Sequence, residues 1–275
     1  MSKPFETLQT ETAGGITTVT FDHPPMNLLD GAVMADLDRL GRELEADANL
    51  RVAIFQSANP DYFLAHADVT LIQQLPTEVP PKSEELSYFH VLVERFRTLP
   101  AATIGVIEGR ARGGGSEFLL SLDMRFGALG HCLVSQPEVA LGILPGGSGT
   151  QRLPRLMGRA RALEAILGCD DFDAATAERY GWINRALPPA ALRPFVRDLA
   201  QRIASYPREA IALAKASVDA ADETLRDGLL EEAHLFQQTL GTPGARDRMA
   251  RFLEVGGQTP DGERDLASLL QRLSD

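Results

Sequence analysis

The chain has 275 residues, of which 44% are hydrophobic and 24% charged, an ordinary composition for a globular protein with a sizeable core. Its formal net charge of -11 argues against nucleic acid or an anionic membrane surface as a partner. The two cysteines lack a C-x-x-C spacing and support neither a disulfide framework nor a metal site. There is no apolar segment typical of a secretory signal or a membrane span, so we expect a cytoplasmic protein with no membrane partner.

The first two-thirds of the chain predicts strands and helices in alternation. Strand patterns cover 16–21, 52–57, 103–109 and 124–129, and helix patterns follow Asp30, cover 84–99 and begin again at Ser116. This alternation favours a largely parallel α/β arrangement. From about Gly149 onward the pattern predicts helices alone, over 158–168, 173–181, 189–204, 207–220, 222–240, 244–255 and 262–273.

The stretch "GRARGGGSE" (109–117) places three consecutive glycines between a predicted strand and a predicted helix. Glycine loses more conformational entropy on folding than other residues, so three in a row predict a tight turn or the close approach of a ligand to the backbone. The stretch fits neither a phosphate-binding loop nor the G-x-S-x-G nucleophile elbow. The remaining chemistry is a backbone N–H that stabilises a carbonyl oxygen as it becomes negative, and a turn without a ligand stays an alternative.

Two longer motifs carry a family resemblance. "VIEGRARGGGSEFLLSLDMRFGA" and "LVSQPEVALGILPGGSGTQRLPRLMG" resemble the crotonase superfamily, the enoyl-CoA hydratase/isomerase family. Upstream, "ITTVTFDHPPMNLLD" is similar to the first hairpin of that family and "VAIFQSANPDYFLAHADV" to its first oxyanion segment. The resemblance covers roughly the first 190 residues in order.

The resemblance implies a role for four residues in particular. Ala67 and Gly114 fall where the family's two backbone N–H groups bind the thioester oxygen of an acyl-CoA, and Glu117 and Glu138 fall where its hydratases carry a catalytic acid/base pair. Taken alone, Glu117 is also explained by the favourable dipole of a first helical turn, and Glu138 by an ordinary loop carboxylate. The occurrence of all four in order favours the functional interpretation.

The same resemblance implies further substrate-binding positions, which are Ala65, His66, Asp68, Gly113 and Leu141. His66 is a departure, because the family's oxyanion segment usually reads Ala-Gly-Ala-Asp. Its imidazole is expected to enter the CoA channel, contact a phosphate, pack internally or face solvent, with solvent or packing favoured.

The resemblance also implies an architecture and a reaction. It implies an α/β spiral of β-β-α turns over residues 1–190 and a helical region over 191–275 that mediates assembly into trimers or hexamers and closes the pocket. The implied reaction is hydration of a 2-enoyl-CoA, the CoA thioester being substrate, with no metal and no cofactor. Double-bond isomerisation, thioester hydrolysis and a catalytically silent acyl-CoA-binding protein remain alternatives.

Four structural expectations concern charged and aromatic residues. Asp123 and Arg125 are expected to form a buried polar pair. Arg112 is expected to be a solvated surface charge, with contact to a CoA phosphate as the alternative. Asp68 is expected to cap the helix that follows it, and Phe252 to be a packing residue that bears on pocket closure.

Overall fold

The computed structural model describes residues 4–222 and 224–273. Within them the strands are β1 (Leu8–Ala13), β2 (Ile16–Phe21), β3 (Val52–Ser57), β4 (Tyr62–Leu64), β5 (Ala102–Ile107), β6 (Arg110–Arg112), β7 (Met124–Ala128), β8 (Leu133–Ser135), β9 (Phe172–Asp173) and β10 (Arg185–Leu187). Six of them form one sheet in the order β1-β2-β3-β5-β7-β10, and four form a second sheet in the order β4-β6-β8-β9. The strand pairs β3/β4, β5/β6 and β7/β8 each add one strand to each sheet in chain order, and this succession is the expected spiral of β-β-α turns.

Parallel pairing dominates the larger sheet. Only β1 and β2 pair antiparallel there, while β2, β3, β5, β7 and β10 run parallel. β5 is buried along its whole length, and β3 is buried at all but one position. Central strands of a parallel sheet are covered on both faces, which explains their continuous apolar sequences.

The helices between the strands are α1 (Gly31–Ala46), α2 (Val69–Gln73), α3 (Tyr88–Arg97), α4 (Gly114–Leu120), a 3-10 helix (Glu138–Leu141), α5 (Gly149–Met157), α6 (Arg159–Gly168) and α7 (Ala174–Tyr180). The C-terminal helices are α8 (Pro189–Ala204), α9 (Arg208–Asp219), α10 (Leu225–Leu240), α11 (Pro243–Glu254), α12 (Pro260–Arg264) and α13 (Leu266–Gln271). None of the helices in the described ranges is both long and apolar enough to cross a membrane.

An aromatic cluster fixes the position of α4 in the core. The ring of Phe118 lies edge-on to those of Phe21, Phe55 and Phe96, with centroids 5.9, 5.3 and 5.3 Å apart. All seven residues of α4 are buried. The helix that follows the glycines is therefore held between the two sheets and cannot shift without disturbing this cluster.

The sequence predicted the long elements better than the short ones. The four predicted strands correspond to β2, β3, β5 and β7, and Asp30 caps α1 by accepting from Ala32 N and Val33 N, as expected. The second sheet was missed, since its strands have two or three residues each. The helix α5 was also missed, and the predicted helix 262–273 is divided into α12 and α13. The predicted helix 222–240 begins beside residue 223, which is outside the described residues.

The expected pair of Asp123 with Arg125 is wrong. Asp123 Oδ2 accepts from Thr103 N and from Lys215 Nζ, each at 2.7 Å. The buried Arg125 guanidinium instead donates to three backbone carbonyls, those of Leu119, Leu122 and Trp182. Asp123 lies in the bend just before β7 and Arg125 lies within that strand, and each side chain is satisfied by other partners.

The expectation that Arg112 is a solvated surface charge is also wrong. Its side chain is 0% exposed and donates to both carboxylate oxygens of Asp171, from Nε at 2.8 Å and from Nη2 at 2.5 Å. A buried guanidinium needs such a forked partner because desolvation of an unpaired charge is costly. That partner lies 59 residues away in the sequence, where no local pattern points to it.

Candidate active site

Ala67 presents its N–H away from the neighbouring backbone. Its only strand-like contact is an isolated parallel bridge to Leu29, in which Leu29 N donates to His66 O at 2.9 Å and Asp68 N donates to Leu29 O at 3.1 Å. In a parallel bridge of this kind the residues on either side make the hydrogen bonds, so the N–H of Ala67 points to the opposite side.

The three glycines place a second N–H beside the first. Gly113 has φ +47° and ψ −126°, a backbone conformation that strongly favours glycine, and α4 begins at the next residue. A Cβ added to Gly115 would collide with the backbone carbonyl of Leu64. A Cβ added to Gly114 would lie 3.2 Å from Ala67 Cβ and 3.5 Å from Ala67 N, so residues 67 and 114 are direct neighbours across the two segments.

Neither of these two N–H groups donates to a protein acceptor within the described part of the chain. The N–H of Gly114 belongs to the first turn of α4, where backbone donors have no partner inside the helix and the dipole is positive. Ala67 and Gly114 both border a cavity of about 570 Å³. Two adjacent donors that face a cavity can bind one oxygen that carries negative charge.

Glu117 enters the same cavity from the first turn of α4. Its side chain is buried, and Oε1 accepts from Gly147 N and Gly149 N, each at 2.8 Å. Burial, together with the nearby charge of Glu232, raises the pKa of Glu117 to about 8 despite these two hydrogen bonds. One carboxyl oxygen is thus fixed by the backbone, and the group keeps its proton into the neutral range.

Glu138 is the first residue of the 3-10 helix and borders the same cavity. Burial, and then the charge of Glu117, raise its pKa well above the usual range. The end of the Gln136 side-chain amide lies 3.0 and 3.1 Å from its two carboxyl oxygens. An ionised Glu138 accepts there from the amide nitrogen, and a protonated Glu138 donates to the amide oxygen after rotation of the amide. Gln136 can therefore hold this side chain in both protonation states.

The walls of the cavity away from the two carboxyl groups are mostly apolar. They are built by α2 and the segment that follows it, by the start of α3 and by α10. Phe89 and Phe236 pack against the backbone at Gly147 and Gly146, where an added Cβ would lie 2.5 Å from an atom of each ring. Such walls suit a hydrocarbon chain, while the polar groups are gathered at one place.

The other residues implied by the resemblance are divided among three places. Asp68 borders the large cavity and caps α2 by accepting from Thr70 N at 2.8 Å, as expected. His66, Gly113 and Leu141 border a second cavity of about 30 Å³ on the other side of Glu138. Ala65 lines neither cavity; it is fully buried and packs against Met26 and Tyr62.

Two buried glutamates of the C-terminal helices were not found from the sequence. Glu232 in α10 accepts from Ser148 N at 2.5 Å and from Thr150 N at 2.9 Å, and His90 Nε2 lies 3.0 Å from it. Glu263 in α12 contacts His66, with 3.0 Å between Nε2 and Oε1. Both lie more than 80 residues from most of their partners, within helical patterns where a glutamate is unremarkable, so no sequence signal singled them out.

Comparison with known proteins agrees with this fold. A profile of the family described as enoyl-CoA hydratase/isomerase matches residues 11–259, so the chain belongs to that family, within the crotonase superfamily. Members of this family are enzymes, and this chain is one of them.

Individual relatives match over most of their length. A "Probable enoyl-CoA hydratase" of Rhizobium meliloti is 33% identical over 90% of this chain and 95% of its own. The "Short-chain-enoyl-CoA hydratase" of Clostridium acetobutylicum is 30% identical over 89% of this chain and 93% of its own. The crystal structure of a "putative enoyl-CoA hydratase" from Streptomyces avermitilis has a TM-score of 0.89 and 38% identity, covering 98% of this chain and 99% of that one.

Proposed function

We propose that the protein hydrates a 2-enoyl-CoA to the 3-hydroxyacyl-CoA. The observation that carries this proposal is that Ala67, Gly114, Glu117 and Glu138 border one cavity. Two unpartnered N–H groups and two buried carboxyl groups meet the requirements of the reaction, which are a site for a negative thioester oxygen and a route for two proton transfers.

In the proposed reaction the thioester oxygen accepts from Ala67 N and Gly114 N. A water held between the carboxyl groups gives a proton to the ionised one as its oxygen bonds to the β-carbon. The electron pair of the double bond moves to the α-carbon and is delocalised onto the thioester oxygen, and the protonated carboxyl group then delivers a proton to the α-carbon. One water is added without a metal or a redox cofactor, and the pair again holds one proton, now on the group that acted as the base. Transfer of that proton to the other carboxyl group restores the starting state.

The raised pKa values of Glu117 and Glu138 support the assignment of one carboxyl group as the base and the other as the acid. Two carboxyl groups that repel each other take up protons in separate steps, so a range of pH exists in which the pair holds one proton. In that range one group can act as the base and the other as the acid.

The test is to mix the pure protein with crotonyl-CoA and to follow the absorbance of the conjugated thioester together with free thiol. Hydration removes the absorbance without releasing thiol. An isomerase leaves the absorbance of this substrate unchanged, a thioester hydrolase releases thiol, and a silent protein binds the ligand by calorimetry without turnover. Any of these three results contradicts the proposal, provided that longer 2-enoyl-CoA substrates give the same result.

We also propose that residues 191–275 mediate assembly into a homotrimer or a homohexamer. The helix α9 supports this, because none of its residues is buried and its Leu213 and Val218 are 70% and 74% exposed. A monomer in light scattering at micromolar concentration would contradict this assembly.

A further inference from the structure

One short C-terminal segment contacts both parts of the chain that carry the proposed oxyanion donors. We call residues 258–264 the bridging segment. Its Glu263 side chain lies 3.0 Å from His66 Nε2, next to Ala67, and its Glu263 carbonyl accepts from Arg112 Nη1 at 2.7 Å, two residues before Gly114. His66 follows β4 and Arg112 ends β6, and these neighbouring strands are already linked near the site by Arg112 N, which donates to Ala65 O at 3.2 Å. Glu263 adds a further link between the two stretches, from behind the two donors.

These contacts are buried. The Glu263 and Arg112 side chains are 0% exposed and His66 is 7% exposed. Burial by itself would lower the pKa of His66, but the Glu263 carboxylate more than offsets it and the pKa is raised. When protonated, His66 donates to Glu263 from Nε2 and to the carbonyl oxygen of Ala67, 2.8 Å away, from Nδ1. The second bond holds the residue that supplies the first oxyanion donor.

A second residue of the bridging segment acts on the same stretch. Gln258 N donates to Glu263 Oε1 at 2.9 Å, while its side chain accepts from Val69 N at 2.5 Å and donates to Asp68 Oδ1 at 3.0 Å. The residues on either side of Ala67 are therefore fixed by the bridging segment, whereas Ala67 N itself stays free to face the cavity.

We propose that Glu263 is a positioning residue that sets the spacing of the two oxyanion donors. The inference rests on the proposed function, because it concerns the geometry of that same oxyanion site. Glu263 borders neither cavity and touches no reacting atom. Its effect is on geometry: donors must lie about 2.7–3.1 Å from the developing oxyanion, and a displacement of about 1 Å costs about 100-fold in rate.

The test uses a probe that reports the oxyanion site without turnover. A 2-enoyl-CoA that carries a conjugated dimethylaminophenyl group absorbs at longer wavelength when its thioester carbonyl is polarised. We expect Glu263→Gln to reduce this red shift and to lower kcat by about 10- to 100-fold, with a smaller change in KM. The affinity for free CoA, which has no thioester carbonyl, is expected to stay the same.

The matched control is Glu232→Gln. This glutamate is also buried, also comes from a C-terminal helix and also lies 3.0 Å from a histidine, but its contacts are on the side of Glu117. It is expected to keep the red shift of the wild type. If Glu263→Gln keeps the full red shift and the full kcat, or if both variants lose the red shift equally, the positioning role is wrong.

A milder variant keeps the inference testable if Glu263→Gln does not fold. Gln258→Gly deletes two hydrogen bonds to residues 68 and 69, and glycine accepts the backbone φ of +60° found there. We expect a partial loss of the red shift with an unchanged circular dichroism spectrum, and an unchanged red shift would contradict the inference. A wild type that shows no red shift at all contradicts the proposed oxyanion site itself, which separates the two failures.

Discussion

The site has an oxyanion half, which contains Ala67 and Gly114, and a carboxylate half, which contains Glu117 and Glu138. Each half is joined to the C-terminal helices by a buried histidine–glutamate pair, and the two pairs differ in their remaining partners. In the oxyanion half, both ring nitrogens of His66 are bonded, and Glu263 faces His66 and Arg112. In the carboxylate half, His90 Nδ1 has no partner within the described residues. Glu232 there accepts from two backbone N–H groups as well as facing His90.

The partners decide what each glutamate does to its neighbours. Glu263 is compensated by two cationic side chains, and its own pKa is lowered by His66 and Arg112 against the effect of burial. Glu232, in contrast, adds to the rise in the pKa of both Glu117 and Glu138. Four successive N–H groups, from Gly147 to Thr150, donate alternately to Glu117 and to Glu232. The first pair therefore controls geometry, and the second controls geometry and proton affinity together.

The largest effect is expected when the acid/base group of Glu117 is removed from the carboxylate half and the oxyanion half is left intact. Glu117→Gln should lower kcat by about 100- to 10,000-fold, the usual contribution of a positioned acid or base. The red shift of the dimethylaminophenyl probe should persist, because Ala67 and Gly114 are untouched. The control is Glu43→Gln on the exposed face of α1, which should leave kcat unchanged. Unchanged kcat in Glu117→Gln would remove this residue from the chemistry.

A steric variant tests whether the position of Glu117 matters apart from its charge. A Cβ at residue 147 would lie 2.5 Å from Glu117 Oε2 and 2.5 Å from Phe89 Cε1, so Gly147→Ala must displace one of them. We expect kcat to fall by about 100-fold, as for a displacement of about 1 Å. Gly244→Ala in α11 is the control, since an added Cβ there meets no atom within 4 Å. Equal kcat values for the two variants would contradict the required placement of Glu117.

The third prediction concerns proton affinity. Replacing Glu232 by Gln removes a negative charge that raises the pKa of Glu117 and of Glu138, so the ionised forms become more favourable and both pKa values fall. The acidic limb of the kcat/KM profile should move to lower pH in Glu232→Gln. It should stay in place in Glu263→Gln, whose charge is compensated. Identical profiles for both variants would remove the distinction between the two pairs.

The smallest expected effect is on stability, and its sign differs between the halves. Burial raises the pKa of Glu117 from 4.5 to about 8 in the folded protein. The stability that this group contributes is therefore fully present at a pH below the pKa of the unfolded chain, and it is lost as the pH rises through the pKa of the folded protein. The double variant Glu117→Gln/Glu138→Gln should therefore gain in Tm relative to the wild type between pH 5 and pH 8.

Glu263 is expected to behave in the opposite way. The pKa of Glu263 is lowered in the folded protein. Its contribution to stability is therefore present at a pH above the pKa of the unfolded chain, and it is lost as the pH falls through the pKa of the folded protein. The deficit in Tm of Glu263→Gln should thus be largest near neutral pH and should shrink in acid. Thermal unfolding of the three proteins over a pH series measures both slopes, and parallel slopes would contradict the comparison.

The sequence by itself predicted the four inner strands of the larger sheet and the glycine turn, and a family resemblance supplied the candidate site residues. Continuous apolar strands, a three-glycine turn before a buried helix and two long motifs are local signals, because each depends on residues that are neighbours in the chain. The short strands β4, β6, β8 and β9 were not predicted, because two or three residues carry no periodicity.

Only the tertiary structure decided the polar partners behind the site. Arg112 with Asp171, His66 with Glu263 and His90 with Glu232 are joined across 59, 197 and 142 residues. Apart from His66, which the resemblance singled out for a different role, each member of these pairs looks like an ordinary surface residue in the sequence. The reason is physical: the cost of burying a charge selects a partner by distance in space, and spacing along the chain carries no record of that choice.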